Sequence, residues 1–131
     1  MLAAQPENRP VPTVLVVEGE VIVRLSIAGY LRECGYRVIE AGGAEEAKAL
    51  CGADTPIDIV LVDAELPGSA NGFALARWIR QERPLTKVLL TAGTAGMAKT
   101  AEETCEHGPH LKKPYAHEEL ARQIRQLLAA R

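Results

Sequence analysis

Ile57-Asp58-Ile59-Val60-Leu61-Val62-Asp63 contains four consecutive branched aliphatic residues with an acid directly behind them. A strand solvated on one side alternates apolar with polar positions, and residues 59–62 carry no polar position at all. The strand expected over residues 57–62 must therefore be covered on both faces, as the central strands of parallel sheets are. Val14-Leu15-Val16-Val17 has the same character and also ends in an acid, Glu18. Working outward from these two runs, further strands are expected at residues 37–41, 87–90 and 110–112.

Helical patterns separate the strands. The first is expected over residues 20–34, stopped by Gly35, which tolerates the left-handed backbone that ends helices. The second, residues 44–51, has Glu45 and Glu46 in its first turn, where the helix dipole favours acid, and is stopped by Gly52. The third, residues 72–81, has Asn71 placed to cap it and buries Leu75, Trp78 and Ile79. A fourth, within residues 95–105, has almost no large apolar side chain. The last starts at His117 and runs to residue 130, with Leu120, Ile124, Leu127 and Leu128 forming one apolar stripe. Regular alternation of strand and helix implies parallel strands joined by right-handed crossovers, hence a three-layer α/β domain.

The rest of the chain bounds the function. Its 131 residues fit one domain, residues 13–131, behind a lead-in of residues 1–12 that contains Pro6, Pro10 and Pro12. Fifteen basic against seventeen acidic residues leave a net charge of −2, which argues against a chain built to grip nucleic acid through phosphate contacts. No apolar run reaches the roughly 20 residues a membrane span needs, and the first residues do not form a secretory signal, so a cytoplasmic location is expected. Three cysteines, Cys34, Cys51 and Cys105, make neither a disulfide framework nor a zinc site, and read as reduced, mostly buried thiols. His107 and His110 lack further ligands for a metal site.

Open parallel sheets bind ligands at the carboxyl ends of their strands, where the strand order reverses. The residues leaving the strands at that edge are Glu18 with Glu20 nearby, Asp63, Thr91 and Lys113. Each has a plain alternative: Glu18 an acid near a helix start, Asp63 a turn residue, Thr91 a hydroxyl bonded to backbone, Lys113 a solvated cation. Together, two acids, a hydroxyl and an ammonium are what a divalent cation and a phosphoryl group require.

These residues carry a resemblance. Val14 through Glu20, Ile57 through Asp63 with the following Ala64-Glu65-Leu66-Pro67-Gly68 and Asn71-Gly72-Phe73, Val88 through Gly93, and Leu111-Lys112-Lys113-Pro114-Tyr115 together resemble the response-regulator receiver domain of two-component signalling. The resemblance implies a flavodoxin-like fold, a five-stranded parallel sheet of order 2-1-3-4-5 that sets Glu18 and Asp63 on neighbouring strands. It implies Asp63 as the phosphoacceptor, Lys113 rather than Lys112 as the cation on the phosphoryl group, and Thr91 as the hydroxyl that swings onto it beside the small Ala92. It implies Mg2+ held by Asp63, by Glu18 directly or through water, and by the backbone carbonyl of Glu65. A cis Lys113–Pro114 bond is expected as well. The partners implied are a histidine kinase or phosphotransfer protein upstream and a protein target downstream, contacted without nucleic acid or membrane.

Three features depart from the family pattern. Gly19 stands where the second acid of the first strand end usually ligates the metal, so a weakened site is implied, with Glu20 or Glu65 leaning in to compensate. His110 stands where a switch aromatic is common, and is expected to couple to Thr91. One extra residue lies between Pro67 and Gly72. Two other functions fit the same residues: a phosphorylation-independent interaction module of the same fold, and a phosphatase with an aspartate nucleophile. The phosphatase would carry its nucleophile on the first strand, whereas Asp63 ends the third. On the leading reading the chain is a phosphoacceptor and not an enzyme, beyond self-phosphorylation from small donors and autodephosphorylation.

Overall fold

The computed structural model describes residues 11–66, 71–92 and 109–130. Five strands, β1 (Thr13–Val17), β2 (Arg37–Ala41), β3 (Ile59–Asp63), β4 (Lys87–Ala92) and β5 (His110–Lys112), form one parallel sheet of order β2-β1-β3-β4-β5. Among the described residues four helices accompany it: α1 (Val21–Glu33), α2 (Ala44–Gly52), α3 (Gly72–Glu82) and α4 (His117–Ala129). The order expected from the sequence is the order found. The helix expected within residues 95–105, the extra residue of the 67–72 turn and nearly all of the lead-in lie outside the described residues.

Alternation within the apolar strands divides the core in two. Leu15 and Val17, Val60 and Val62, and Val88 and Leu90 pack with α2 and α3. Val14 and Val16, Ile59 and Leu61, and Leu89 face the other way, against Ile27 and Leu31 of α1 and Leu120 and Ile124 of α4. All five residues of β1 and of β3 are buried, as a strand covered on both faces requires. At roughly 1.5–3 kcal/mol for each large aliphatic side chain removed from water, these two layers are the main stabilising term.

Local signals act where the sequence places them. Gly35 closes α1 with φ 99°, and the Asn71 side chain accepts a 2.8 Å hydrogen bond from the Ala74 N–H at the start of α3. Two strands differ from expectation. β3 starts later, because Asp58 is used otherwise: its carboxylate accepts from the Thr13 N–H at 2.7 Å and its N–H donates to the Thr13 carbonyl. β4 runs on to Ala92, because it pairs with β3 as far as Thr91 and with β5 as far as Ala92. Trp78 is half-buried rather than buried, packed on the core edge with the Lys48 ammonium 5.5 Å from its ring. Cys51 is buried as expected, but Cys34 is exposed, because it caps the solvent-facing end of α1.

Candidate functional site

β1 and β3 are neighbours at the centre of the sheet, with β2 and its helix reached in one direction and β4 in the other, so the chain reverses its winding between them. Glu18 follows β1 directly and Asp63 ends β3, and the two leave the sheet at the same edge. Both are buried, at 5% and 6% exposure, among few polar residues so enclosed. Together with Gly19, Glu20, Glu65 and Lys113 they line a cleft of about 510 Å³.

Lys113 reaches this cleft from the far side of the sheet. It follows β5, its N–H donates to the Ala92 carbonyl, and the Lys113–Pro114 bond is cis. Its Nζ donates to Asp63 Oδ1 at 2.9 Å and lies 3.7 Å from the Glu65 carboxylate. Lys112, the rival cation, is exposed. Asp63 Oδ1 also accepts the Glu65 N–H at 3.0 Å, which shapes the turn leaving β3.

The electrostatics follow from that crowding. Burial pushes the Glu18 carboxyl above the usual glutamate range, and the neighbouring Asp63 charge adds to the rise against the hydrogen bond from the Glu20 N–H. Burial alone would lower Lys113, but its hydrogen bond to Asp63 and the charges of Asp63, Glu18 and Glu65 outweigh it, so the ammonium is held above the usual lysine range. Two enclosed carboxylates facing a single ammonium leave local negative charge uncompensated. Their hard oxygen donors suit a small divalent cation such as Mg2+, which keeps several of its waters and needs few protein ligands. Among the described residues no third carboxylate, imidazole or thiolate completes a protein ligand set with them. Glu20 lines the cleft with its side chain exposed, and Glu65 turns its carboxylate toward Lys113.

The remaining expected residues are placed as follows. Thr91 is buried near the end of β4 and is the register partner of Asp63. Ala92 follows it at the end of β4, buried with the α2 and α3 layer, and its carbonyl accepts the Lys113 N–H. His110 pairs with Leu90 through the backbone of β5, and its side chain lies outside the described residues.

Sequence reasoning missed two contributors. Gly72 opens α3 so close to the strand end that an added Cβ would stand 2.1 Å from the Asp63 carbonyl oxygen. Arg24 reaches back from α1 to the Glu18 carbonyl at 2.8 Å. Gly72 was visible as the residue after a helix cap, but nothing local announces its clearance. Arg24 was visible only as the charge interrupting an apolar stretch.

Known proteins resemble this chain in sequence and in fold. The family model of the response regulator receiver domain matches residues 14–125. The transcriptional regulatory protein AruR of Pseudomonas aeruginosa is 32% identical over 123 residues, covering 90% of this chain and 50% of its own length. The aerobic respiration control protein ArcA of Escherichia coli is 32% identical over 119 residues, covering 90% and 49%. The chain thus spans about half the length of these curated relatives. Among solved structures, the receiver domain of NtrX from Brucella abortus superposes with a TM-score of 0.79 at 28% identity, covering 90% of this chain and 99% of that one. A CheY-like receiver domain protein from Methanospirillum hungatei superposes with a TM-score of 0.80 at 22% identity, covering 91% and 94%, which is a likeness of fold.

Proposed function

The chain belongs to the response regulator receiver domain family, and on that premise we propose that it takes a phosphoryl group onto Asp63 from a phosphohistidine of a histidine kinase or phosphotransfer protein. The observation that carries this reading is the 2.9 Å contact between Lys113 Nζ and the buried Asp63 carboxylate, in a cleft shared with Glu18 at the reversal of the sheet. With Oδ1 engaged by Lys113 and by the Glu65 N–H, the other carboxylate oxygen is the nucleophile. It forms a bond to phosphorus as the phosphorus–nitrogen bond breaks, and the imidazole nitrogen keeps the electron pair. Positioning and charge neutralisation dominate such a transfer, so a weak nucleophile suffices.

Lys113 passes from Asp63 to a phosphoryl oxygen, exchanging one charge-assisted hydrogen bond for another. Glu18, Asp63 and the Glu65 backbone carbonyl would hold Mg2+, which would neutralise the charge of the carboxylates and of the incoming phosphoryl oxygens. Gly19 removes one acid from that set, and Glu20 is the remaining carboxylate of the turn on the cleft wall. Thr91, with His110 beyond it on β5, responds to the phosphoryl group and alters a face that a protein target reads.

The donor protein must cover the cleft, and α1 offers it a surface. Val21, Ile22, Val23 and Leu25 are exposed, Ile22 at 81%. A groove of about 660 Å³ between Ile22, Val23 and Ile27 on one side and Pro114 and Tyr115 on the other shares Glu18, Glu20 and Lys113 with the cleft. This apolar strip beside the acceptor supports a protein partner rather than a nucleic acid. Among the described residues no helix is long and apolar enough to cross a membrane, and the reading carries with it the cytoplasmic location expected from the sequence.

Treatment with acetyl phosphate and Mg2+ tests the reading. Intact mass gains one phosphoryl group, the gain is lost in Asp63→Asn, and a chelator suppresses it. A second reading rests on Gly19: a receiver fold that binds its partner without phosphorylation. No mass gain at saturating donor and Mg2+ favours that reading over the first.

A further inference from the structure

The main chain of Glu18 is held from the β2 side at both its polar groups. Its N–H donates to the Ala41 carbonyl at 3.1 Å, continuing the sheet by one step. Its carbonyl has left the sheet and accepts from Arg24 Nη1 at 2.8 Å. The same guanidinium donates through Nε to Glu40 Oε1 at 3.3 Å, and Arg32 holds the other oxygen of that carboxylate at 3.2 Å. The Arg24 side chain is only 18% exposed. A carbonyl enclosed at a strand end costs free energy when unpaired, and a glycine follows it at once, so no side chain at position 19 restrains the turn.

We propose that Arg24 is a positioning residue for the cleft: held by Glu40, it fixes the Glu18–Gly19–Glu20 turn so that the Glu18 carboxylate stays against Asp63, and it thereby sets the affinity for a divalent cation. This rests on the reading of Glu18 and Asp63 as cation ligands. The turn has one enclosed carboxylate, Glu18, to offer, so its placement counts for more than it would beside a second acid. The Glu18 carboxylate accepts the Glu20 N–H at 3.1 Å, and that bond is an independent reporter of the turn. Arg32 touches Glu40 and the Val38 carbonyl but not Glu18, which makes it the internal control.

The test is calorimetric titration of the full chain with Mg2+ alone, together with hydrogen exchange of the Glu20 amide in chelator. Arg24→Met is expected to weaken Mg2+ binding about tenfold or more and to speed exchange at Glu20 by a similar factor. Glu40→Gln, a milder change that keeps the fold should Arg24→Met lose it, is expected to weaken binding severalfold in the same direction. Arg24→Met with Glu40→Gln is expected to be no weaker than Arg24→Met alone, since Glu40 acts through Arg24. Arg32→Met should leave binding within about twofold. Unchanged Mg2+ affinity and unchanged Glu20 exchange in both Arg24→Met and Glu40→Gln overturn the role of Arg24 while leaving the cation site standing. An unmodified chain that binds no Mg2+ overturns the site reading, and the inference with it.

Discussion

Glu18 and Asp63 are two enclosed carboxylates with one ammonium between them and the solvent, and the pH behaviour of the chain follows from that. Because the folded chain holds Glu18 above the usual glutamate range, ionising it opposes folding. The cost is absent below the ordinary glutamate value, grows as pH rises through the raised one, and is constant above it. Glu18→Gln is therefore expected to stabilise the chelator-treated chain at neutral pH, with the gain fading as pH is lowered toward the ordinary glutamate value; urea denaturation across that range measures it. Lys113 has the opposite dependence. Its raised value means that the pair with Asp63 contributes stability fully present below the ordinary lysine value and lost as pH rises through the raised one. In Lys113→Met that alkaline loss should be diminished, and the carboxylates, left without their ammonium, should destabilise the neutral chain by about 1–3 kcal/mol.

At the scale of elements, the β3–α3 connection is the tightest point. Gly72 donates its N–H to the Ala64 carbonyl, and a methyl group in its place would stand 2.1 Å from the Asp63 oxygen and 2.5 Å from the Ala64 Cα. Gly72→Ala is expected to cost about 1–3 kcal/mol in urea denaturation, since backbone and not a flexible side chain must yield. It should also slow phosphoryl uptake, because the displaced backbone carries Asp63, the proposed acceptor.

How much of this was legible differs between elements for a physical reason. The central strands were readable because burial on both faces leaves a continuous apolar run, and the strand ends because polar residues there interrupt it. Asn71 and Gly35 were readable because capping is local. The late start of β3 was not, since it depends on Asp58 meeting Thr13 across the sheet. The Arg24 bridge and the clearance at Gly72 join residues whose proximity exists only after folding. The exposed side of α1 was hidden for a different cause: Val21, Ile22, Val23 and Leu25 look like core residues, and only the packing of Ile27, Ala28 and Leu31 shows which side of the helix the core takes.

Across the whole molecule, two apolar layers hold the sheet rigid so that three distant segments of chain meet at one edge. That rigidity links binding to folding. On the proposed reading Mg2+ would relieve the repulsion between Glu18 and Asp63 in the folded chain only, so its addition is expected to raise the melting temperature by several degrees at a large excess over its dissociation constant, and chelation to reverse the gain. Glu18→Gln should blunt the response. Core truncation acts differently: Ile124→Ala, at a fully buried position of α4, should lower stability by about 2–5 kcal/mol with Mg2+ or without it.

The account stands on Asp63 as the acceptor. After acetyl phosphate treatment, borohydride reduces an acyl phosphate and leaves an altered residue that peptide mass mapping locates. The predicted result is a single altered residue at position 63. Alteration at another acid instead, with position 63 unchanged, would contradict it.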